Sequence, residues 1–318
     1  MSDLIDVEEA LGYEFPIQYS SYDEKDLVLY ALGVGAGTDP ADTSELQYVY
    51  ENASQGFKAL PTFGVAPALK LIFEMAKRGQ KAPGLNYGFD RILHGEQYTE
   101  VTQPLPPSAK LSHKVKIKNI YDKGRHAVVV TEIQSFDEAE RLLVTNEIST
   151  FVRGAGGWGG ERGPSTEWNA PPDRAPDAMA TEKVGTNQAL LYRLSGDVNP
   201  LHVDPAVARA FGFEKPILHG LCTFGYAARH VIKHFSKNDS RFFKSIRTRF
   251  SDIVFPGETL VTEMWKESDA RTLFQCKIKE RNRIVISNAA TELYPEIPGS
   301  AGPNDEIAAN RKRSREQK

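Results

Sequence analysis

The chain has 318 residues, 40% hydrophobic and 25% charged, enough for one large or two modest globular domains. A net charge of −3 and a pI of about 6.2 give no electrostatic reason to expect nucleic acid as a partner. No apolar run is long enough to span a bilayer, and residues 1–20 carry acids where a secretory signal would be basic and then apolar.

In chain order, apolar spacing predicts a helix over Asp26 to Leu32, and the turn-like Asp39-Pro40 predicts the start of another at Asp39 to Ala41. Val65 to Ala76 is apolar enough for a buried helix near the centre of its domain, with Pro67 in its first turn. Strands are expected at Lys114 to Tyr121, His126 to Ser135 and Arg141 to Val152, the first two joined by a turn at Asp122-Lys123-Gly124. The Gly- and Pro-rich stretch from Gly154 to Pro176 cannot pack as a helix or central strand, so a surface connection is expected. Its Gly-Gly-x-Gly-Gly lacks the Gly-Lys-Ser/Thr of a phosphate loop.

Beyond it, Asn187 to Leu194 is a short predicted helix stopped at Gly196, and Pro205 to Phe211 is another, capped by Asp204. Between them lie Asp197, Asn199 and His202, on a backbone that Gly196 and Pro200 keep from being one helix. A carboxylate, an amide and an imidazole so close can hold a water, take its proton and return one. A hydrogen-bonded turn would also explain Asp197 and Asn199. Leu221, Phe224, Ala228, Val231, Ile232 and Phe235 form a core stripe on a long helix, within which Cys222 reads as a buried thiol. With Cys276 it offers neither a disulfide framework nor metal spacing. Strands follow at Ile246 to Phe255, Thr259 to Glu267, Thr272 to Lys279 and Arg283 to Leu293, with turns at Pro256-Gly257 and Glu280-Arg281-Asn282.

The chain repeats itself. Tyr30-Ala31-Leu32-Gly33-Val34-Gly35 parallels Tyr192-Arg193-Leu194-Ser195-Gly196-Asp197, displaced by 162 residues, and Leu60-Pro61-Thr62-Phe63-Gly64 parallels Leu221-Cys222-Thr223-Phe224-Gly225, displaced by 161. The near-constant offset implies two copies of one domain. The first has Gly35 in place of Asp197 and Pro40 opposite His202, so it keeps the frame without the chemistry. Helix followed by antiparallel strands is an α+β pattern, and two such units are expected to join their sheets edge to edge as an intrachain pseudo-dimer. The expected division is residues 1–155, a linker at 156–182, a second domain at 183–295 and a polar, basic, disordered tail at 296–318.

The string Leu194-Ser195-Gly196-Asp197-Val198-Asn199-Pro200-Leu201-His202, with Tyr192 before it and His219-Gly220 after it, resembles the signature of 2-enoyl-CoA hydratase 2. That enzyme belongs to the MaoC-like group of hot-dog-fold hydratases and dehydratases. The resemblance runs over roughly residues 5–295 and is sharpest from Ala189 to Arg229. It implies a double hot-dog that hydrates trans-2-enoyl-CoA to the (3R)-3-hydroxyacyl-CoA, with Asp197 and His202 as the catalytic pair and Asn199 holding the water. Substrate contacts are implied for His94, Gly95, Lys123, Val198, Pro200, Leu201, Gly220 and Phe250, and supporting roles for Tyr30, Glu51, Tyr192 and His219. The N–H of Gly220, at the start of the long helix, is expected to polarise the thioester. Neither a cofactor nor a metal is expected, CoA being part of the substrate, and a second copy of the chain is a candidate partner. The family implies a peroxisomal location, although Glu316-Gln317-Lys318 is no S-K-L-type signal. With no Rossmann fingerprint, the expectation is a standalone protein or a piece cut from a longer one. A dehydratase acting on carrier-bound substrate, a silent acyl-CoA-binding module and a thioesterase are the rival readings.

Overall fold

A computed structural model describes residues 4–164 and 169–299. Its helices are α1 (Val7–Ala10), α2 (Glu24–Gly33), α3 (Leu46–Val49), α4 (Val65–Lys77), α5 (Gln188–Tyr192), α6 (Pro205–Ala210) and α7 (Gly220–Phe235). The strands of the first half are β1 (Gln18–Tyr22), β2 (Ile92–Val101), β3 (Ala109–Asp122), β4 (Ala127–Phe136) and β5 (Leu142–Val152). Those of the second are β6 (Ala178–Lys183), β7 (Phe243–Phe250), β8 (Thr259–Lys266), β9 (Arg271–Ile278) and β10 (Arg283–Leu293). All ten form one antiparallel sheet in the order β1-β3-β4-β5-β2-β7-β10-β9-β8-β6. The halves meet edge to edge where β2 pairs with β7, Glu96 opposite Arg249 through Glu100 opposite Ser245.

Local chemistry explains most boundaries. Asp23 and Asp26 form a reciprocal capping box on α2, and the Asp204 carboxylate caps α6, whose first residue is Pro205. Alternation sets the sheet faces: along β3, Leu111, His113, Val115 and Ile117 are buried while Lys110, Lys114 and Lys118 face solvent. In α7 every residue from Leu221 to Ile232 is buried, making it the centre of a core that draws on both halves. Further bonds join the halves: Gln188 Nε2 donates to the carbonyls of Leu32 (2.9 Å) and Gly33 (2.7 Å), and Cys222 Sγ to Gly33 (3.3 Å).

Three expectations need correction. The helix expected from Asp39 starts later, at a single turn over Thr43–Glu45 capped by Asp42, because Asp39 is spent on a tight turn to the Ala41 N–H. The helix at Val65–Lys77 is buried on one face only, through Val65, Ala66, Ala68, Leu71 and Met75, since a cleft opens along its other side. The stretch assigned to a linker ends in β6, which completes the sheet by pairing with β8, and its glycine-rich part packs on the β3–β4 turn. β1 also lacks a sequence signal, as a short edge strand with Tyr19 75% exposed. The tail expected from residue 296 lies, from residue 300 on, outside the described residues.

Candidate active site

The site is assembled on the loop between α5 and α6. After α5 a turn of tighter helix runs over Arg193–Ser195 and stops at Gly196, whose φ of 127° is open to glycine but strained for other residues. Glycine is also required by space, because a Cβ there would lie 2.8 Å from the Cβ of Lys70 and 3.2 Å from the Ala66 carbonyl, both on α4. The loop from Asp197 to His202 of the second half is thus seated on the helix of the first. In the pseudo-equivalent position a Cβ on Gly35 would lie 2.4 Å from the Tyr226 ring, so the first half has no room for a counterpart of Asp197.

Asp197 Oδ1 accepts the Asn199 N–H at 3.2 Å, and Asn199 Oδ1 accepts the Leu201 N–H at 3.1 Å, capping the short helix Pro200–His202. Asn199 therefore fixes the turn that carries His202. The imidazole of His202 donates from Nδ1 to the Ile217 carbonyl at 2.9 Å, which leaves Nε2 with a free lone pair. His219, fully buried before α7, donates from Nε2 to the Asp197 carbonyl at 3.3 Å. Its ring lies 3.8 Å from that of His202 and 4.9 Å from that of Tyr192, which in turn lies 6.0 Å from Tyr30. The Nδ1 of His219 is buried without a partner.

Side-chain atoms of Asp197, His202 and His219 all fall within 4.8 Å of one another, a cluster able to hold a water or a cation. Burial pushes Asp197 up to about 6, against the pull of the Asn199 N–H. It pushes His202 down to about 4, against the Ile217 carbonyl, and His219 well below its usual range, helped by the neighbouring His202. The usual order is inverted: the carboxyl holds a proton more tightly than the imidazole.

Several of the remaining predicted residues gather around the same opening. Gly220 begins α7, where its N–H has no intrahelical partner, and a Cβ on it would meet the Phe250 ring at 3.2 Å. Phe250 in turn lies edge-on to His94, 4.9 Å between centroids. Gly95 is the extra residue of a bulge between His94 and Glu96 in β2, and burial lowers His94 to about 4. Val198, Pro200 and Leu201 are on the loop from Asp197 to His202 itself. The Ile-Leu-His-Gly of residues 92–95 is strand, whereas that of 217–220 leads into a helix, so the echo between them is one of sequence only.

Two residues stand outside this cluster, Lys123 at the same end of the sheet and Glu51 far from it. Lys123, on the β3–β4 turn, donates to the carbonyl of Arg162. Glu51 sits exposed on a turn after α3, which Gln47 and Tyr48 tie to the Asn238 carbonyl beyond the C-terminal end of α7, a helix length of about 24 Å from Gly220. The acid that this region does bury is Glu45, paired with Arg229 of α7. Residues without a sequence signal include Ile217, which orients His202, and Lys70 and Ala66, which seat the loop.

Beside the loop a cleft of about 280 Å³ runs between Tyr22, Phe63, Ala66, Pro67 and Phe73 of the first half and Leu194, Gly196 and Val198 of the second. Arg193 Nε and Ser195 Oγ, buried without partners, belong to residues that line it.

Comparison with known proteins agrees with this geometry. The family model described as MFE-2 hydratase 2 N-terminal domain matches residues 20–154, and that described as MaoC like domain matches residues 167–289. Peroxisomal multifunctional enzyme type 2 of Mus musculus is 48% identical over 290 residues, 90% of this chain and 38% of that protein. The peroxisomal enoyl-CoA hydratase 2 of Arabidopsis thaliana is 42% identical over 301 residues, 91% of this chain and 94% of that protein. A crystal structure of a MaoC-like dehydratase from Phytophthora capsici superposes with a TM-score of 0.82 at 34% identity, covering 94% of this chain and all of that one. Fold and loop together define a MaoC-like double hot-dog protein. The chain belongs to the enoyl-CoA hydratase 2 family.

Proposed function

We propose that the chain reversibly hydrates trans-2-enoyl-CoA to (3R)-3-hydroxyacyl-CoA in peroxisomal fatty-acid β-oxidation. Relatives named as peroxisomal hydratases support the setting, and one observation carries the chemistry: an Asp and a His on one loop, inverted in proton affinity, within 4.8 Å.

His202 Nε2, with its lone pair free, takes a proton from water as the water oxygen bonds to C3. The C2–C3 π electrons move toward the thioester, whose oxygen gains charge beside the Gly220 N–H and the positive end of α7. Asp197, the member that holds a proton more readily, delivers it to C2. The proton on His202 then returns to Asp197 through solvent, which restores the dyad. Asn199 and His219 hold the loop, and the acyl tail enters the cleft along α4. Acid, base and oxyanion stabilisation all come from the chain, so the reaction needs no cofactor beyond the CoA of its substrate.

The test is loss of enoyl absorbance when purified protein meets trans-2-decenoyl-CoA, with chiral analysis of the product. Asp197→Asn and His202→Gln should each lower kcat by about 10²- to 10⁴-fold. Release of free CoA instead of the 3R alcohol would overturn the reading in favour of a thioesterase.

A further inference from the structure

The cleft along α4 has walls of two kinds. Tyr22, Phe63, Ala66, Pro67 and Phe73 are largely apolar, as an acyl chain requires. Among them stand the cations of Lys70, Lys77 and Arg193 and the hydroxyls of Ser20, Ser21 and Ser195, which a chain ending in a methyl group does not need. Ala66, Lys70, Phe73 and Lys77 follow one another at spacings of four, three and four, so they share one face of α4, with Lys77 about 10 Å further along the helix than Lys70.

These cations are uncommitted. Among the described residues none of the three has a carboxylate within 4.0 Å. The two acids that line the cleft are both engaged: Asp26 accepts the Asp23 N–H in the capping box of α2, and Glu74 pairs with Arg78 at 3.6 Å. Arg193 is half-buried, its Nε is shut off from solvent with no acceptor, and the Oγ of Ser195 is in the same condition. A guanidinium N–H and a hydroxyl left buried and unpaired each cost free energy. An apolar chain end recovers none of it, whereas a carboxylate, with two charged oxygens, accepts from a guanidinium in the geometry that suits both. The polar character extends to β1, where Ser20 Oγ lies 2.7 Å from His113 Nε2 and His113 Nδ1 lies 2.9 Å from Ser135 Oγ. This row interrupts an inner sheet face that is otherwise apolar at Leu111, Val115 and Ile117.

We infer that the cleft selects acyl chains whose far end carries a carboxylate, and that Arg193 is the residue that recognises it, in a field strengthened by Lys70 and Lys77. The substrate class is then the mono-CoA thioester of a dicarboxylic acid. The inference rests on the reading of the protein as an enoyl-CoA hydratase whose acyl tail lies along α4.

The experiment uses the full chain and a series from trans-2-octenoyl-CoA to trans-2-hexadecenoyl-CoA, each beside its ω-carboxy counterpart and the methyl ester of that counterpart. At the length that reaches Arg193, the ω-carboxy substrate should have a KM about tenfold or more below both neutral chains at similar kcat. Arg193→Gln should cut that preference to about twofold or less, and Arg193→Lys should keep part of it. The preference is a ratio within one protein, so a variant that folds poorly does not imitate its loss. Hydration with equal KM for the three chain ends at every length overturns the inference and leaves the hydratase reading standing, and a preference that survives Arg193→Gln also overturns it. Calorimetry with the saturated, unreactive counterparts separates the two readings. Binding of the ω-carboxy chain about tenfold tighter than its neutral partners, in a protein that hydrates no enoyl thioester, upholds the carboxylate site and sinks the hydratase. Equal binding of charged and neutral chains overturns the site.

Discussion

Asp197 and His202 are driven in opposite directions by the same burial, because removal from water penalises the charged form of each. A dyad carrying one proton keeps it on Asp197. The proposed division of labour then requires Asp197 protonated and His202 neutral, so kcat/KM should fall on the alkaline side from about pH 6 and on the acid side toward about pH 4. A pH profile of the wild type checks this, and Asp197→Asn should abolish the alkaline limb. Activity that instead rises through pH 6 would make Asp197 the base. Gly196 is the other decisive residue. Gly196→Ala adds a Cβ 2.8 Å from Lys70 Cβ at a φ of 127°, so a loss of roughly 1–3 kcal/mol in urea unfolding is expected, together with a fall in kcat as the loop is displaced.

At the scale of elements, α7 does two jobs. Its N-terminus faces the site, and its second half anchors a buried charge network in which Arg229 bonds Glu45, Glu182 and the Val34 carbonyl, while His230 bonds Glu182 and Thr262. Arg229 and Glu45 are 3% and 4% exposed at the side chain, so removing the cation leaves the buried Glu45 with only the Gly37 N–H and the partly buried Glu182 with His230 in place of the guanidinium. Arg229→Met should cost about 3–5 kcal/mol by urea unfolding, and adding Glu45→Gln and Glu182→Gln should recover much of it. No recovery would mean that packing of the long side chain, not charge, is what matters. The position mirrors the dyad loop: a Cβ on Gly35, the counterpart of Asp197, would meet the Tyr226 ring at 2.4 Å and Glu182 at 2.7 Å, so in the first half this network occupies the carboxylate's place.

Over the whole molecule, one ten-stranded sheet buries several neutral imidazoles. His94, His113 and His202 are each lowered from 6.5 to about 4, and His219 is held well below its usual range, with burial as the main cause. The unfolded chain therefore binds protons that the folded chain refuses. Their contribution to stability is present above the ordinary histidine value of 6.5 and is lost as pH falls from there toward 4. Melting temperatures measured from pH 7.5 to 4 should drop steadily below 6.5, and a flat profile over that range would contradict the burial of these groups.

What the sequence determines by itself is whatever depends on near neighbours or on period. Asp204 and Pro205 announce α6, Gly196 a turn, Asp122-Lys123-Gly124 a hairpin, alternating Lys and apolar residues the faces of β3, and the offset of 161–162 residues a duplicated unit. The loop from Asp197 to His202 is legible for the same reason, since its polar groups are brought together by a few turn-forming residues. Tertiary structure alone decides that Glu45, not Glu51, is buried, that Ile217 and His219 complete the loop, and that β1 and β6 close the sheet's ends. It also packs the glycine-rich segment on the β3–β4 turn. Each of these rests on partners far apart in the chain, where a backbone carbonyl or a missing Cβ does the recognising and leaves no pattern in the order of side chains.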